Sequence, residues 1–160
     1  MPSFSNNSRR DFLYRLGIAG LGIPFLSATA CGNTSPKPDS MQQKKAGKTG
    51  IALVGLGGYA SGQLAPALLQ TQHCHLAGIV TGSPSKIPVW QEKYGIADKN
   101  VYNYGNFDTI KDNPDIDIVY VVLPHNMHAE YTIRAAEAGK HVICEKPMAI
   151  TVADCDRMIA

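Results

Sequence analysis

The feature that most narrows the fold is a glycine turn set between a strand and a helix. Ile51-Ala52-Leu53-Val54 is a short continuous apolar run, the pattern of a strand buried on both faces of a parallel sheet. It passes directly into Gly55-Leu56-Gly57-Gly58-Tyr59-Ala60. That spacing fits G-x-G-x-x-[G/A], with Ala60 in the last place. Gly55 permits the tight turn out of the strand. Gly57 has no side chain, so a pyrophosphate can approach the backbone. Ala60 is small enough for the next helix to pack closely on the sheet. The helix N-terminus then offers unpaired N–H groups and a partial positive charge to phosphates. Alone, such a turn is a weak sign. Here a strand precedes it, a helical pattern over Gln63 to Gln70 follows, and another apolar strand comes next. Pro66 lies inside that helix and must either open its regular part or kink it.

The second strand reads His75-Leu76-Ala77-Gly78-Ile79-Val80. NAD-preferring sites usually carry a carboxylate at this strand's end, for the ribose hydroxyls. This chain has Thr81-Gly82-Ser83-Pro84-Ser85-Lys86 there, and its nearest downstream carboxylate is Glu92. Hydroxyls plus a cation suit a 2′-phosphate, so the expected cofactor is NADP, with NAD the lesser alternative. Thr81, Ser83 and Ser85 also suit a turn that caps the helix containing Trp90 and Tyr94. The two roles are compatible.

Further on, 101–104 reads as a short third strand and 107–111 as a brief helical turn closed by Asn113-Pro114. A β-branched strand over 116–123 is followed by the turn Pro124-His125-Asn126-Met127. A helix over 128–138 stops at Gly139, and His141-Val142-Ile143-Cys144 is a fifth strand. Thr151 opens a last helix, with Asp154 completing an acidic capping box. This alternation makes the fold α/β, a Rossmann-type doubly wound parallel sheet, incomplete at its C-terminal edge. Ligands of such sheets bind beyond the carboxyl ends of the strands. The residues that matter therefore lie in 55–60, 81–86, 123–128 and 145–147.

The first fifty residues read as an address and a tether. Arg9-Arg10 precedes Phe12-Leu13, an uncharged run spans 16–30, and Ala28-Thr29-Ala30 supplies small exit residues. This is the pattern of an export signal over 1–30, of twin-arginine type, with a periplasmic destination. The alternative is an amphipathic N-terminal helix, but the run lacks a polar stripe. Cys31 directly follows and opens a second alternative, a lipid-attachment cysteine and a membrane-anchored lipoprotein. Residues 31–49 hold little to bury and read as a flexible linker. The folded part then covers 50–160.

From Gly50 onward eight basic residues face eleven acidic ones, a balance of −3. No basic surface for tracking phosphates emerges, so a nucleic-acid partner is not expected. None of the four cysteines forms a C-x-x-C pair. Cys74, Cys144 and Cys155 read as buried thiols outside any disulfide. His125 and His128 are three apart with no third ligand, so no metal is expected.

The segment 138–147, ending Cys144-Glu145-Lys146-Pro147, joins the glycine turn and Leu123-Pro124-His125-Asn126-Met127-His128 in one pattern. Together these resemble the Gfo/Idh/MocA oxidoreductase family. The likeness is closest to its glucose–fructose oxidoreductase branch, through Tyr102-Asn-Tyr-Gly-Asn-Phe107, His128-Ala-Glu-Tyr-Thr-Ile-Arg134 and 151–159. It covers roughly residues 50–160. The resemblance implies hydride transfer between nicotinamide and a sugar hydroxyl or carbonyl. Lys146 would sit near the nicotinamide and the reacting hydroxyl and assist proton movement. Glu145 would position the cofactor, and the bond before Pro147 would be cis. Thr81 and Lys86 would meet the 2′-phosphate. Leu123, Pro124, His125 and His128 would belong to the cofactor turn, with His125 standing where the family commonly has asparagine. The family's second, α+β domain supplies an Asp and a His to the sugar and the main oligomer interface. This chain is expected to lack it and to be truncated, so a homo-oligomer is expected only of a full-length form. The rival reading is a non-catalytic dinucleotide-binding module or inactive fragment.

Overall fold

The computed structural model describes residues 47–160. The export signal expected over 1–30, Cys31 and the linker up to residue 46 lie outside the described residues. Five strands form one sheet: β1 Thr49–Val54, β2 Cys74–Val80, β3 Val101–Tyr102, β4 Ile118–Val121 and β5 His141–Cys144. All pairs are parallel, in the order β3-β2-β1-β4-β5. β1 begins at Thr49, a residue the sequence assigns to the linker.

The continuous apolar strands are explained by cover on both faces. Alternate β1 side chains enter opposite cores. Ala52 and Val54 join Val80, Phe107, Ile110, Val119, Val121 and Tyr131. Leu53 joins Leu76, Ile79, Trp90 and Tyr94. β5 departs from this pattern, with His141 exposed and Ile143 41% exposed.

After the glycine turn the chain is helical from Gly58, first as a π-helix over Ala60–Leu64, then as α1 over Ala65–Leu69. Pro66 sits in the first turn of α1. A proline there lacks an N–H and its ring crowds the carbonyl four residues back. The wider π winding, with the Ala65 N–H bonded to the Ala60 carbonyl, relieves both before the regular helix starts. Of the two alternatives for Pro66, it opens the regular part. The remaining helices are α2 Ile87–Tyr94, α3 His128–Glu137 and α4 Val152–Ile159. Gly95 and Gly139 close α2 and α3 with φ of +68° and +70°. Thr151 caps α4, accepting from the Asp154 N–H at 3.1 Å and donating its hydroxyl to that carboxylate at 2.8 Å.

Three sequence expectations need correction. The third strand ends at Tyr102, because Asn103 and Asn106 fold 103–106 into a side-chain-bonded turn. The fourth is confined to Ile118–Val121; the flanking Asp117 and Val122 N–H groups still donate to the Gly50 and Val54 carbonyls, at 2.9 and 2.8 Å, and the Asp117 carboxylate also accepts the Gly50 N–H at 2.8 Å. Cys74, Cys144 and Cys155 are free thiols but half-buried, not buried.

Candidate functional site

β1 lies between β2 and β4, so the winding reverses beside its carboxyl end. That reversal opens a crevice above the sheet. The glycine turn stands in the middle of it.

Gly55 serves the fold. Its φ is +97°, and a Cβ there would come within 2.5 Å of the Val122 carbonyl oxygen. Leu56 points into the core, 5% exposed. Gly57 and Gly58 differ. Both are exposed, and a Cβ on either would meet nothing within 4 Å. No protein atom explains why these two positions lack side chains. They adjoin the start of the helix, whose first N–H groups have no partner a turn back. Ala60 is fully buried, which allows the close helix–sheet approach.

On the β2 side of the turn lies a cleft of about 280 Å³, lined by Gly57, Gly58, Ser61, Ser85, Lys86 and Trp90 among others. Lys86 donates from Nζ to the Leu56 carbonyl at 2.8 Å, which holds its ammonium against the glycine turn. An ammonium has three N–H donors, so this bond anchors it without exhausting it. Among the described residues, the lining contains no carboxylate. Thr81, Gly82 and Ser83 lie outside that lining. Thr81 is buried and accepts the Ser83 N–H at 3.1 Å, and Gly82 lies against the Tyr104 ring. These three shape the turn that delivers Ser85 and Lys86.

On the β4 side lies a cleft of about 330 Å³, lined by Tyr59, Val122, Leu123, His125, His128, Glu145 and Lys146. Lys146 is exposed and stands two residues past the end of β5. His128 is fully buried, with Nδ1 2.8 Å from the Pro147 carbonyl and Nε2 2.8 Å from the Leu123 carbonyl. It thus ties the turn after β4 to the turn after β5. The Lys146–Pro147 bond is cis. Pro124 opens the short turn His125–Met127, and the His125 ring stands edge-on to His128, 5.5 Å between centroids. Tyr120 donates its hydroxyl to Glu145 Oε1 at 2.5 Å. Burial, then this bond to Glu145, pushes the Tyr120 phenol well above its usual range.

Sequence reasoning does not single out Ser61 or Tyr120. Ser61 stands four residues after Gly57, the helical spacing for its 2.9 Å bond to the Gly57 carbonyl. Tyr120 hides as one aromatic in an apolar strand. Its hydroxyl partner is 25 residues away, and no local pattern reveals it.

Residues 49–160 match the oxidoreductase family with NAD-binding Rossmann fold, Gfo/Idh/MocA. The chain belongs to this family. A crystal structure of an aldose-aldose oxidoreductase from Caulobacter crescentus, complexed with glycerol, superposes with a TM-score of 0.69 at 52% identity. It covers 70% of this chain and 33% of that one. A 3-ketoreductase from Actinomadura kijaniata, solved with NADP, gives a TM-score of 0.62 at 28% identity, over 70% of this chain and 34% of its own. An inositol 2-dehydrogenase from Salmonella agona is 30% identical over 72% of this chain and 32% of its own. The chain thus spans about a third of the length of these relatives.

Proposed function

We propose that this chain binds NADP across the glycine turn, as the nucleotide-binding part of an exported oxidoreductase acting on sugars. The observation that carries this reading is the pair Gly57 and Gly58. Their bare faces open on free space, while Lys86 is tethered to the carbonyl between them and Gly55. A diphosphate needs that space and those N–H groups. A 2′-phosphate needs a cation without a carboxylate beside it, which the cleft of Ser61, Ser85 and Lys86 offers. The NADP named with the Actinomadura kijaniata 3-ketoreductase adds support.

When bound, the dinucleotide supplies the carbon that gives or takes the hydride. The chain's own groups do the rest. Leu123, His125 and Tyr59 wall the nicotinamide end, and Glu145 offers hydrogen-bond acceptors. Lys146 holds the sugar oxygen and moves its proton. The substrate class rests on the aldose named with the Caulobacter crescentus relative. Export through the twin-arginine signal would deliver a folded, cofactor-loaded protein to the periplasm. The other reading, a membrane-anchored lipoprotein, rests on Cys31.

Fluorescence titration with NADPH and NADH, followed by a glucose-oxidation assay, tests the proposal. NADPH binding at least tenfold tighter than NADH is expected. Equal affinities would overturn the choice of NADP. Binding with no turnover of any sugar would favour the rival reading, a non-catalytic module.

A further inference from the structure

We infer that Tyr120 is a positioning residue for Glu145, fixing its carboxylate as an acceptor for the nicotinamide–ribose half of the dinucleotide. The inference rests on the reading that this half occupies the β4-side cleft.

Glu145 is held to β4 at two points. Its backbone N–H donates to the Val121 carbonyl at 3.1 Å, and its Oε1 accepts the Tyr120 hydroxyl at 2.5 Å. Its other oxygen, Oε2, accepts the Lys146 N–H at 3.3 Å. Three bonds thus define both the place and the plane of the carboxylate. A glutamate just past a strand end otherwise samples several rotamers, and freezing them at binding costs affinity. Here the cost is met during folding. A carboxylate only accepts. The groups it can recognise are therefore N–H and O–H donors, and the nicotinamide half carries both, a carboxamide NH2 and ribose hydroxyls.

The Tyr120 ring has a separate job. It packs against the core containing Leu53 and Ile79, and phenylalanine would do that equally. What the hydroxyl adds is the orientation of Glu145. The parallel register makes the reach possible, since Tyr120 pairs with Ile143, two residues before Glu145.

The test titrates the full chain with NADPH and with 2′,5′-ADP, which carries the phosphorylated adenosine end but no nicotinamide. In Tyr120→Phe the affinity for NADPH should fall about tenfold, while that for 2′,5′-ADP stays within about twofold. In a Glu145→Ala background the same Tyr120→Phe change should cost less than about twofold more, because the side chain that the hydroxyl orients is gone. Equal losses for both ligands would mean general damage and overturn the inference. So would unchanged NADPH affinity, or full additivity with Glu145→Ala. Failure of the unaltered chain to bind either ligand would instead overturn the cofactor reading, and this inference with it.

Discussion

Two glycines two residues apart should answer the same substitution in opposite ways. In Gly55→Ala the new Cβ adopts a φ of +97° and meets the Val122 carbonyl oxygen at 2.5 Å and Leu123 Cδ2 at 2.9 Å. The backbone conformation costs an L-residue about 1–2 kcal/mol. Pushing the end of β4 aside costs about 1–3 kcal/mol more. Together that is about 3 kcal/mol, and at about 4 °C per kcal/mol for a domain of this size the melting temperature falls by about 12 °C. In Gly57→Ala the Cβ meets nothing within 4 Å and φ is not positive. Stability should stay within about 0.5 kcal/mol of the parent. Dinucleotide affinity should nevertheless fall at least about tenfold, because the methyl occupies the diphosphate's space and weakens charge-assisted N–H bonds. Thermal unfolding by circular dichroism and NADPH titration read the two effects separately. A Gly57→Ala variant that keeps NADPH affinity within about twofold would refute the cradle. A Gly55→Ala variant that melts with the parent would refute the steric account of the turn.

Lys86→Ala should weaken NADPH binding at least about tenfold yet change NADH binding by less than about threefold, by competitive titration. His128→Ala removes a fully buried ring and leaves the Leu123 and Pro147 carbonyls without their 2.8 Å partner. It should cost about 2–4 kcal/mol, measured by urea unfolding. Arg134 grips Asp108 through Nε at 2.9 Å and Nη2 at 3.1 Å, which holds that carboxyl below its usual range. A lowered carboxyl pKa stabilises above the unfolded value, and the gain is lost as pH falls through the folded one. Asp108→Asn should therefore lower the pH 7 melting temperature slightly. The gap should close below about pH 4, and because Asp108 is 68% exposed it should stay under about 1 kcal/mol.

Much of this architecture is legible before any coordinates. The run Ile51–Val54 is apolar at every position because both sheet faces are covered, and the structure sends its side chains into two cores. β5 is read to the residue, and Gly139 stops α3 as its left-handed φ requires. The alternation also orders the loops, so the clusters at 55–60, 123–128 and 145–147 share one crevice. What is not legible depends on groups distant in sequence. Asp117 ties the start of β4 to Gly50, 67 positions earlier, through its carboxylate. Pro66 reads as an ambiguity until the π winding ahead of it is seen. Thr81 and Ser83 read as ligand hydroxyls; Thr81 is buried beneath the turn, while Ser85 and Lys86 line the cleft. His128 looks like a cofactor contact, and the structure engages both its ring nitrogens with carbonyls.

The central claim is that a diphosphate lies on bare amides at the turn after β1. Amide chemical shifts of the isotope-labelled chain, followed during NADPH addition, test it directly. The largest changes should fall on Gly57, Gly58, Tyr59 and Ala60, with a second group at Ser85 and Lys86. Saturable binding that leaves those amides in place, with changes confined to other parts of the sheet, would contradict it.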